Sequence, residues 1–544
     1  MKHVQLLTTF VALSLTLTAR AAEFHLDPSS GKMSNNGSSS QPWSTIEQVV
    51  AEAKFGTTVQ AGDTLFLRSG YHGELDLNGG NYGAPVTIAA EPGHTPRLRR
   101  VRLNGTTGII VQGLSISASH APSYAKATLV EVVGDSSRVT IENCQVFSVD
   151  DASGWGANEW INDACNGMRI DGNEVTVKAN TVRNVRFAIS VNADNVLVER
   201  NTIDGFSADG IRGLGDFGVY QYNVIKNVYV ESDLDKNHDD GFQSWSVGPN
   251  GVGTGEVRGV VLRGNLILNY EDHNQPLRST VQGIGCFDGT FVDWVVENNV
   301  VITDHWHGIS LYGARNCRIV NNTVLDINDQ KPGPPWISMH EHKDGTPPQN
   351  CVVRNNLATD YANAESGVIE DHNTIIDDPE SLFVNPTDHD LHLLPNASVI
   401  DQGSPELAPE LDADGIQRPQ GNGIDPGAFE WHDPGVKRAE AGVGAESGPG
   451  AKAGVDSGTV SDGVPDANPG VDSGAVSDNG ATVTGAGGSV IVGSGTSTDD
   501  DGCSCRVAPR TAPSTALVPS STWALALATL ALLWRRVRRR TFTT

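Results

Sequence analysis

Short runs of Val, Ile and Leu alternate with polar residues through the middle of the chain, and an asparagine precedes each run at a regular interval. These asparagines are Asn180, Asn201, Asn223, Asn265, Asn299, Asn322 and Asn356. The first steps are 21 and 22 residues, a later one is 23, and the 42 residues from Asn223 to Asn265 are two steps of 21. A period near 20 with strand-like alternation indicates coils that bury their apolar faces only against neighbouring coils. We therefore predict an all-β fold, a single-stranded parallel β-helix solenoid.

The fixed asparagine has two expected roles in such a solenoid. Asparagine tolerates the left-handed backbone conformation and bonds its own backbone, so it suits a tight bend between strands. Asparagines stacked in register can also hydrogen-bond one another along the stack.

An amphipathic stretch near the start of the chain predicts an N-terminal capping helix. Ser44 and Glu47 have the spacing of a capping box, while Ile46, Val49 and Val50 form one apolar stripe. A solenoid exposes apolar side chains at its end unless another element covers them. We expect this helix to close the N-terminal end.

Two segments of the chain resemble known β-helix proteins. The residues after the helix, Ala61–Leu67 and Gly70–Tyr71, resemble the start of right-handed pectate-lyase-like β-helix proteins. That resemblance implies a right-handed solenoid. The run Gly423–Glu430 resembles the C-terminal signature of "choice-of-anchor Q" β-helix proteins, which pair one barrel with varied surface anchors.

Composition divides the chain into four parts. Residues 1–21 resemble a secretory signal peptide, with Lys2, an apolar run and a small-x-small cleavage site. Residues 22–434 hold the coils. Residues 435–501 are rich in Gly, Ser, Ala and Asp and predict a disordered acidic tether. The formal net charge of −27 is a statement about solubility, not about the substrate.

Residues 502–544 combine a cysteine pair, an apolar segment and an arginine cluster. This order resembles the C-terminal sorting tag of myxobacterial surface proteins. The resemblance implies processing near Cys503, attachment to the membrane through the tag, and an exported protein displayed on the cell surface. We expect a monomer and no nucleic-acid partner.

Five cysteines lie outside the tag, and an odd number argues against a complete disulfide framework. Cys317 and Cys351 occupy equivalent places in their repeats, so they should stack on adjacent coils. A strand spacing of about 4.8 Å lies within the range that a disulfide accepts. A disulfide and two stacked free thiols both remain open.

A second register, of the form polar–Gly–apolar–polar, runs through residues 166–340. If its apolar residue points inward, period-two alternation turns the next residue outward. The outward line then comprises Arg212, Gln243, Gly285, Ser310 and Ser338. Trp245, Phe287, Tyr312 and His340 lie beside this line, while Asp209, Asp240, Gln282 and His307 flank it. Arg212, Gln243, Trp245, Tyr312 and His340 are the substrate-binding candidates, since aromatic faces and polar groups on one surface suit a sugar groove.

Acids and imidazoles converge on the same face. Asn237-His238-Asp239-Asp240 places two carboxyl groups beside an imidazole, and neighbouring acids push their pKa values apart, which supplies an acid and a base. The catalytic candidates are Asp209, Asp239, Asp240, His305, His307 and Lys343. The coils also lengthen only here, as expected for groove walls. The alternative is structural, because Asp-Gly and His-Gly are ordinary turn dipeptides and repeats create columns without function.

Three short patches resemble polygalacturonase-type glycoside hydrolases: Asp209-Gly210-Ile211, Asn237-His238-Asp239-Asp240 and His307-Gly308-Ile309-Ser310. In that family aspartates act as general acid and water-activating bases, and a histidine supports them. The resemblance implies Asp239 as the acid and Asp209 with Asp240 as the bases.

A polysaccharide lyase is the rival enzyme, and it is slightly favoured by analogy with β-helices of this kind. Elimination needs a base beside a uronate carboxylate and a cation or calcium to neutralise it. Lys343, Arg212, His305 or His307 would serve, with Tyr312 as proton donor. We expect a protein acting on an extended, uronate-containing polysaccharide. A non-catalytic glycan-binding adhesin is the alternative from a different class.

No cofactor is required by the sequence. Calcium is the single candidate, and Asp412 with Asp414 would suggest it, although Asp-x-Asp-Gly is also a common turn and the rest of an EF-hand is absent. The sequence has no phosphate loop, nucleophile elbow, paired-cysteine zinc site or His-Glu-x-x-His motif.

Overall fold

The computed structural model describes residues 21–433 and 435, without residues 232, 233, 236, 329, 330 and 365. Three long sheets of parallel strands follow one another around each coil, and each strand pairs with the equivalent strand of the next coil. We number the sheets in the order in which a coil passes through them. The described residues belong to one compact unit.

Sheet 1 contains the strand that precedes the asparagine position. Its 13 strands are Glu23–Leu26, Thr64–Leu67, Asn81–Ala90, Thr107–Gln112, Ser137–Glu142, Thr176–Lys178, Leu197–Glu199, Val219–Gln221, Val261–Arg263, Val295–Glu297, Arg318–Val320, Cys351–Arg354 and Val368–Asp371.

Sheet 2 contains the strand that follows the asparagine. Its 12 strands are Gly70–Tyr71, Pro96–Leu98, Ser115–Ser117, Gln145–Phe147, Thr181–Val185, Thr202–Phe206, Val224–Val228, Leu266–Leu268, Val300–Thr303, Thr323–Asp326, Leu357–Ala358 and Thr374–Ile375.

Sheet 3 completes each coil and includes the second register described above. Its 11 strands are Glu74–Asn78, Arg100–Asn104, Thr128–Val133, Asn166–Ile170, Ile189–Val191, Ile211–Gly213, Asp240–Trp245, Gln282–Asp288, His307–Tyr312, Trp336–His340 and Asp360–Tyr361. Three small sheets lie outside the coils and pair Val247–Gly248 with Gly251–Val252, Glu256–Arg258 with Thr290–Val292, and Phe383–Asn385 with Asp390–Leu393.

The asparagines form a continuous buried ladder, as the repeat predicts. Each side-chain amide donates to the Oδ1 atom of the next asparagine, at 2.9 Å from Asn180 to Asn201 and 3.0 Å from Asn201 to Asn223. The backbone N–H of each asparagine donates to the same oxygen. The ladder continues without a break through Asn265, Asn299, Asn322 and Asn356 to Asn373. It therefore fixes the register of seven successive steps.

The expected left-handed bend lies one residue earlier than the sequence suggested. The residue immediately before the ladder asparagine takes the positive φ, for example 53° at Ala179 and at Arg200 and 55° at Tyr222. The ladder asparagine itself serves the hydrogen bonds. Its role in the bend is to satisfy the backbone groups that the turn leaves unpaired.

The helix Ile46–Ala51 covers the N-terminal end of the solenoid, as predicted. It packs on Glu74–Asn78, the edge strand of sheet 3, and buries Ile46 and Val49 in the core. The predicted capping residue is wrong by one position. Thr45, and not Ser44, is the N-cap, and its hydroxyl accepts from the backbone N–H of Gln48 at 3.3 Å.

Other helices are short: Ala157–Asn162, Pro379–Leu382 and the 3-10 turns Ala118–His120 and Pro386–Asp388. In the part of the chain that the structure describes, none of the helices has the length and apolar character needed to cross a bilayer.

The C-terminal segment from about residue 376 folds back along the side of the solenoid. Phe383, Leu393 and Phe429 pack against the outer face of sheet 2. A buried ion pair at 2.8 Å joins Arg418 to Glu430, and both side chains are fully buried. The segment that resembles an anchor-bearing C-terminal signature thus forms a side wall of the barrel.

The five described cysteines are free thiols and all are buried. Cys317 and Cys351 stack on adjacent strands of sheet 1, as expected from Arg318 pairing with Val352. Of the two alternatives that the sequence left for Cys317 and Cys351, the structure thus shows two stacked free thiols and no disulfide. The predicted signal peptide, tether and sorting tag (residues 1–21, 435–501 and 502–544) lie almost wholly outside the described residues.

Candidate functional site

Strand pairing produces the predicted line on sheet 3. Arg212 pairs with Gln243, Gln243 with Gly285, Gly285 with Ser310, and Ser310 with Ser338. These residues are far apart in sequence and share one face because the coils stack in register. This is the geometry on which the predicted groove depends.

The C-terminal part of this line is not exposed, which corrects the prediction. Ser310 and Ser338 are 0% and 1% exposed. Trp336 covers Ser310 and donates to its hydroxyl from Nε1 at 3.3 Å, while Ser338 donates to the carbonyl of Ala362 at 2.7 Å. The accessible part of the line is therefore its beginning, where Arg212 and Gln243 are half-buried.

Three carboxyl groups gather where the chain turns from sheet 2 into sheet 3. Asn237 links two of them, because its Nδ2 atom donates to Oδ1 of Asp209 at 3.3 Å and to Oδ1 of Asp239 at 3.2 Å. The backbone N–H of Asp240 also donates to Oδ1 of Asp209, at 3.2 Å. Arg212 donates from Nε to the other oxygen of Asp209. The predicted site residues Asp209, Asp239, Asp240 and Arg212 thus belong to one hydrogen-bonded cluster.

Burial is the dominant influence on these acids. Asp209, Asp239 and Asp240 are 1%, 8% and 0% exposed. Burial raises the pKa of Asp209, although Arg212 acts against it. Burial also raises the pKa values of Asp239 and Asp240 well above the usual range, and repulsion from Asp209 adds to both shifts. Among the described residues, a cation is bonded to Asp209 alone of the three acids, so the charged form is best supported there.

The third acid, Asp240, occupies the space that the missing side chain of Gly285 leaves open. Gln243 donates from Nε2 to Oδ2 of Asp240 at 2.7 Å. The other oxygen of Asp240 is buried without a hydrogen-bond partner, as is Oε1 of Gln282. A Cβ atom on Gly285 would lie 2.1 Å from Oδ1 of Asp240 and 2.9 Å from Oε1 of Gln282. Sequence reasoning placed Gly285 in the outward line, but the need for a glycine there follows only from this contact.

Two histidines occupy the same turn two coils further along. The rings of His305 and His307 stack at 5.3 Å, and Nδ1 of His307 lies 3.0 Å from the Ser310 hydroxyl. Burial and, to a lesser extent, His238 lower the pKa of His305 to about 4, while burial, His305 and His238 together lower the pKa of His307 to about 3. Both imidazoles are therefore neutral at physiological pH.

The remaining candidates lie at the opposite end of the sheet 3 strands. Tyr312 stands between Phe287 and His340, with ring centroids at 5.2 and 5.6 Å. Lys343 binds Oδ1 of Asp288 at 2.8 Å. Asp288 ends its strand, whereas Gln282, which pairs with Asp240, begins it. Tyr312, His340 and Lys343 thus lie at or beyond the ends of their strands, although the Tyr312 ring lies 6.3 Å from the His307 ring.

Trp245 does not line up with Phe287 as the alternation predicted. A β-bulge between Ser244 and Trp245 places Trp245 opposite Asp288. Its ring instead lies 5.3 Å from the guanidinium carbon of Arg212. A single extra residue in the partner strand therefore moves this aromatic ring toward the acid cluster.

The lengthened segments flank sheet 3 on both sides. Those near residues 231–238, 270–280 and 326–335 connect sheet 2 to sheet 3, and those near 247–256 and 340–350 leave sheet 3 for sheet 1. In the first group, Arg186 and Asp235 form an ion pair at 3.0 Å that holds the segment before Asp239 against the barrel. The expected walls are therefore adjacent to the acids and to the aromatic residues.

Within the described ranges there is no group of three or more His, Cys, Asp or Glu residues arranged to hold a metal ion. At the candidate calcium turn, Oδ1 of Asp412 accepts from the backbone N–H groups of Asp414 and Ile416 at 2.9 and 2.7 Å. Its Oδ2 accepts from the N–H of Glu430 at 2.9 Å. These bonds are those of a structural turn.

A family model described as a right handed beta helix region matches residues 166–358. Together with the strand pairing, this match identifies an all-β, right-handed parallel β-helix protein. The matched residues include the whole acid cluster and both histidines. No curated protein matches the sequence.

Solved structures with a similar fold include several carbohydrate-active proteins. Pectate lyase Pel9A is 16% identical, with 76% of this chain and 97% of that chain covered and a TM-score of 0.41. The lacto-N-biosidase from Eubacterium ramulus is 14% identical, with coverages of 65% and 68% and a TM-score of 0.32. The A-module of the Azotobacter vinelandii mannuronan C-5 epimerase AlgE4 is 12% identical, with coverages of 61% and 93% and a TM-score of 0.29. Similarity at this level concerns the fold and not the activity.

Proposed function

We propose that the protein hydrolyses glycosidic bonds of an extended polysaccharide, with the carboxyl groups of Asp209, Asp239 and Asp240 as the catalytic groups. One observation carries this proposal. The three carboxyl groups converge in one cluster, and the environment of each carboxyl group differs from that of the others. Two acids placed in different environments supply a proton donor and a base at the same pH.

The roles follow from the partners of each acid. Asp239 has no bonded cation, its pKa is raised by burial and by Asp209, and it is the most exposed of the three. It therefore keeps its proton and gives it to the oxygen of the leaving sugar. Asp209 is bonded to Arg212, which supports its carboxylate form. Asp209 then takes a proton from the attacking water, and the bond between two sugars is replaced by two hydroxyl groups.

Asp240 completes the cluster as the neighbour of the base. Its carboxyl group is fully buried, receives the Gln243 amide at 2.7 Å and faces the gap above Gly285. A protonated Asp240 holds the cluster to a single negative charge, which keeps that charge on Asp209. The resemblance to polygalacturonases implies a base at Asp240; in its protonated form Asp240 instead supports the base Asp209, to which its backbone N–H donates.

Hydrolysis has more support here than elimination, which the sequence slightly favoured. Elimination needs a cation for the uronate carboxylate and a base of suitable pKa. Arg212 is bonded to Asp209 and Lys343 to Asp288. The pKa values of about 4 and 3 at His305 and His307 make both poor bases. The lyase and the uronate-containing substrate remain predictions.

The test is incubation of the purified protein with a panel of uronate-containing and neutral polysaccharides. We expect new reducing ends without the ultraviolet absorbance of an unsaturated uronate. Asp239→Asn should abolish this activity. Absorbance that rises with cleavage would establish a lyase instead, and binding without cleavage would establish a glycan-binding adhesin.

We also propose that the protein acts at the cell surface. The signal-like residues 1–21 and the tag-like residues 502–544 support an exported protein held at the cell surface. Cell fractionation with and without residues 502–544 tests this, because loss of the tag should release the protein into the medium.

A further inference from the structure

We propose that Trp306 and Trp336 form a sugar-binding subsite, here called the tryptophan platform, which holds the polysaccharide two to three coils away from the acid cluster. This inference deepens the proposed function and rests on it for the identity of the ligand. Neither tryptophan was among the residues that the sequence singled out for chemistry or binding.

The platform is an exposed aromatic surface with a fixed shape. Trp306 is 37% exposed, and its ring lies 6.3 Å from that of Trp336 with an angle of 12° between the planes. The carbonyl of Trp306 accepts from the N–H of Trp336 at 2.7 Å and from that of Gly308 at 3.0 Å. The Trp336 indole donates to Ser310. Two near-parallel rings held in this way lose little freedom when a ligand binds.

The platform lies on the same turn as the acids. Asp239 and Trp306 both immediately precede a sheet 3 strand, and the strand Gln282–Asp288 lies between their two strands. Two strand spacings put the two turns about 10 Å apart along the solenoid. His238, next to Asp239, is close enough to His305 and His307 to lower their pKa values. The turn that bears the acids and the turn that bears the platform are therefore within electrostatic range of each other.

The neighbours of the platform suit a sugar better than a charged group. His305 lies 5.9 Å from the Trp306 ring, and His307 lies 5.3 Å from the Trp336 ring. Both imidazoles are neutral at physiological pH. Nδ1 of His305 accepts from the N–H of His307 at 3.1 Å and Nδ1 of His307 lies 3.0 Å from the Ser310 hydroxyl, so the Nε2 atom of each ring is left for a sugar hydroxyl group. An apolar ring face flanked by uncharged hydrogen-bonding groups matches the apolar face and the hydroxyl rim of a sugar ring.

A protein partner is a poorer fit to this surface. Stable protein interfaces bury about 800 Å² on each side, whereas the platform is one half-exposed indole and the edge of a second. Its position in line with the acids instead suits a linear chain that extends beyond the bond to be cleaved.

The experiment measures binding and chain-length dependence separately. Trp306→Ala and Trp306→Tyr are placed in the full chain, alone and combined with Asp239→Asn, which prevents turnover during binding measurements. Phe217→Ala is the matched control, because Phe217 is 56% exposed and lies at the turn from sheet 3 to sheet 1. Affinity electrophoresis on the polysaccharide panel gives binding, and oligosaccharides of increasing length give kcat and KM.

We expect Trp306→Ala to weaken polysaccharide binding about tenfold, Trp306→Tyr to restore most of it, and Phe217→Ala to change nothing. In the wild-type protein, KM should fall as the oligosaccharide lengthens, until the oligosaccharide is long enough to reach the platform, and should then stay constant. Cleavage with unchanged binding and length dependence in Trp306→Ala overturns the inference and leaves the proposed function standing. Binding that depends on Trp306, without any cleavage, overturns the proposed function and leaves the inference standing. Absence of binding to every polysaccharide overturns both.

Discussion

Gln243 donates its side-chain amide to one oxygen of Asp240 at 2.7 Å, while the other oxygen of that carboxyl group is buried and unpartnered. A buried carboxylate needs more support than one amide gives. The group is therefore held mainly in its protonated form, consistent with a pKa raised well above the usual range by burial and by Asp209.

Asp240→Asn should abolish turnover while leaving the fold intact. Asparagine can accept the Gln243 amide as aspartate does, but it has no carboxyl proton to release when Asp209 takes one from the attacking water. We expect activity to fall by about a hundredfold or more. Circular dichroism and initial rates on the best substrate of the panel check this prediction. Activity close to that of the wild type would assign Asp240 to the structure of the turn only.

The same substitution has a predicted pH signature in stability. The folded-state pKa of Asp240 is raised, so its contribution is most favourable below the unfolded value of about 4 and is lost as pH rises through the folded value. At neutral pH the wild type therefore bears a cost that Asp240→Asn lacks. The melting temperature of the variant should equal or exceed that of the wild type at pH 7, and the difference should shrink toward pH 4. A large fall at pH 7 would contradict this.

Gly285→Ala tests whether the cluster needs the gap above the glycine. The new methyl group would lie 2.1 Å from Oδ1 of Asp240, so the carboxyl group must move. We expect at least about a tenfold loss of activity with little loss of stability. Gly83→Ala is the matched control, because a Cβ there meets nothing within 4 Å. Equal activity in both variants would show that the position of Asp240 is unimportant.

Asn223→Ala should destabilise the solenoid strongly. Asn223 is fully buried, donates to Asn265 at 3.0 Å and to the Val198 carbonyl at 2.9 Å, and accepts from Asn201. Alanine leaves these buried groups unpaired, at a cost of about 3 kcal/mol. Urea denaturation should show a clearly lower midpoint. The exposed Asn192, whose side-chain amide donates to Asp171 at 2.7 Å, provides the control, and Asn192→Ala should change stability by less than about 0.5 kcal/mol.

The repeat predicted the solenoid and the asparagine ladder because both depend on periodicity, which the sequence displays directly. It also predicted the line through Arg212 and Gly285, since in-register stacking converts periodicity into a shared face. The burial of Ser310 was not predictable in this way. It depends on Trp336, which comes from another coil after a segment of irregular length.

Local irregularities account for the other differences. The bulge beside Trp245 and the exact cap of the first helix each involve a shift of one residue, and periodicity carries no information on such shifts. Trp306, in the tryptophan platform, lacks a repeat signal as well. Its place between two histidines, on the turn that bears the acids in an earlier coil, is a signal that sequence reasoning could have used.

His392 should make the C-terminal wall sensitive to alkaline pH. Burial lowers its pKa, but hydrogen bonds to Asp414 at 2.9 Å and to Asp390 at 2.5 Å outweigh this and raise it to about 9. A raised histidine pKa gives stability that is complete below about pH 6.5 and is lost as pH rises through about 9. His392→Gln keeps a hydrogen-bonding side chain without the charge. The wild type should exceed this variant by about 1 kcal/mol at pH 6 and match it above pH 10, as measured by urea denaturation across that range. A constant difference at all pH values would show that packing on Phe429, at 4.1 Å, is what His392 contributes.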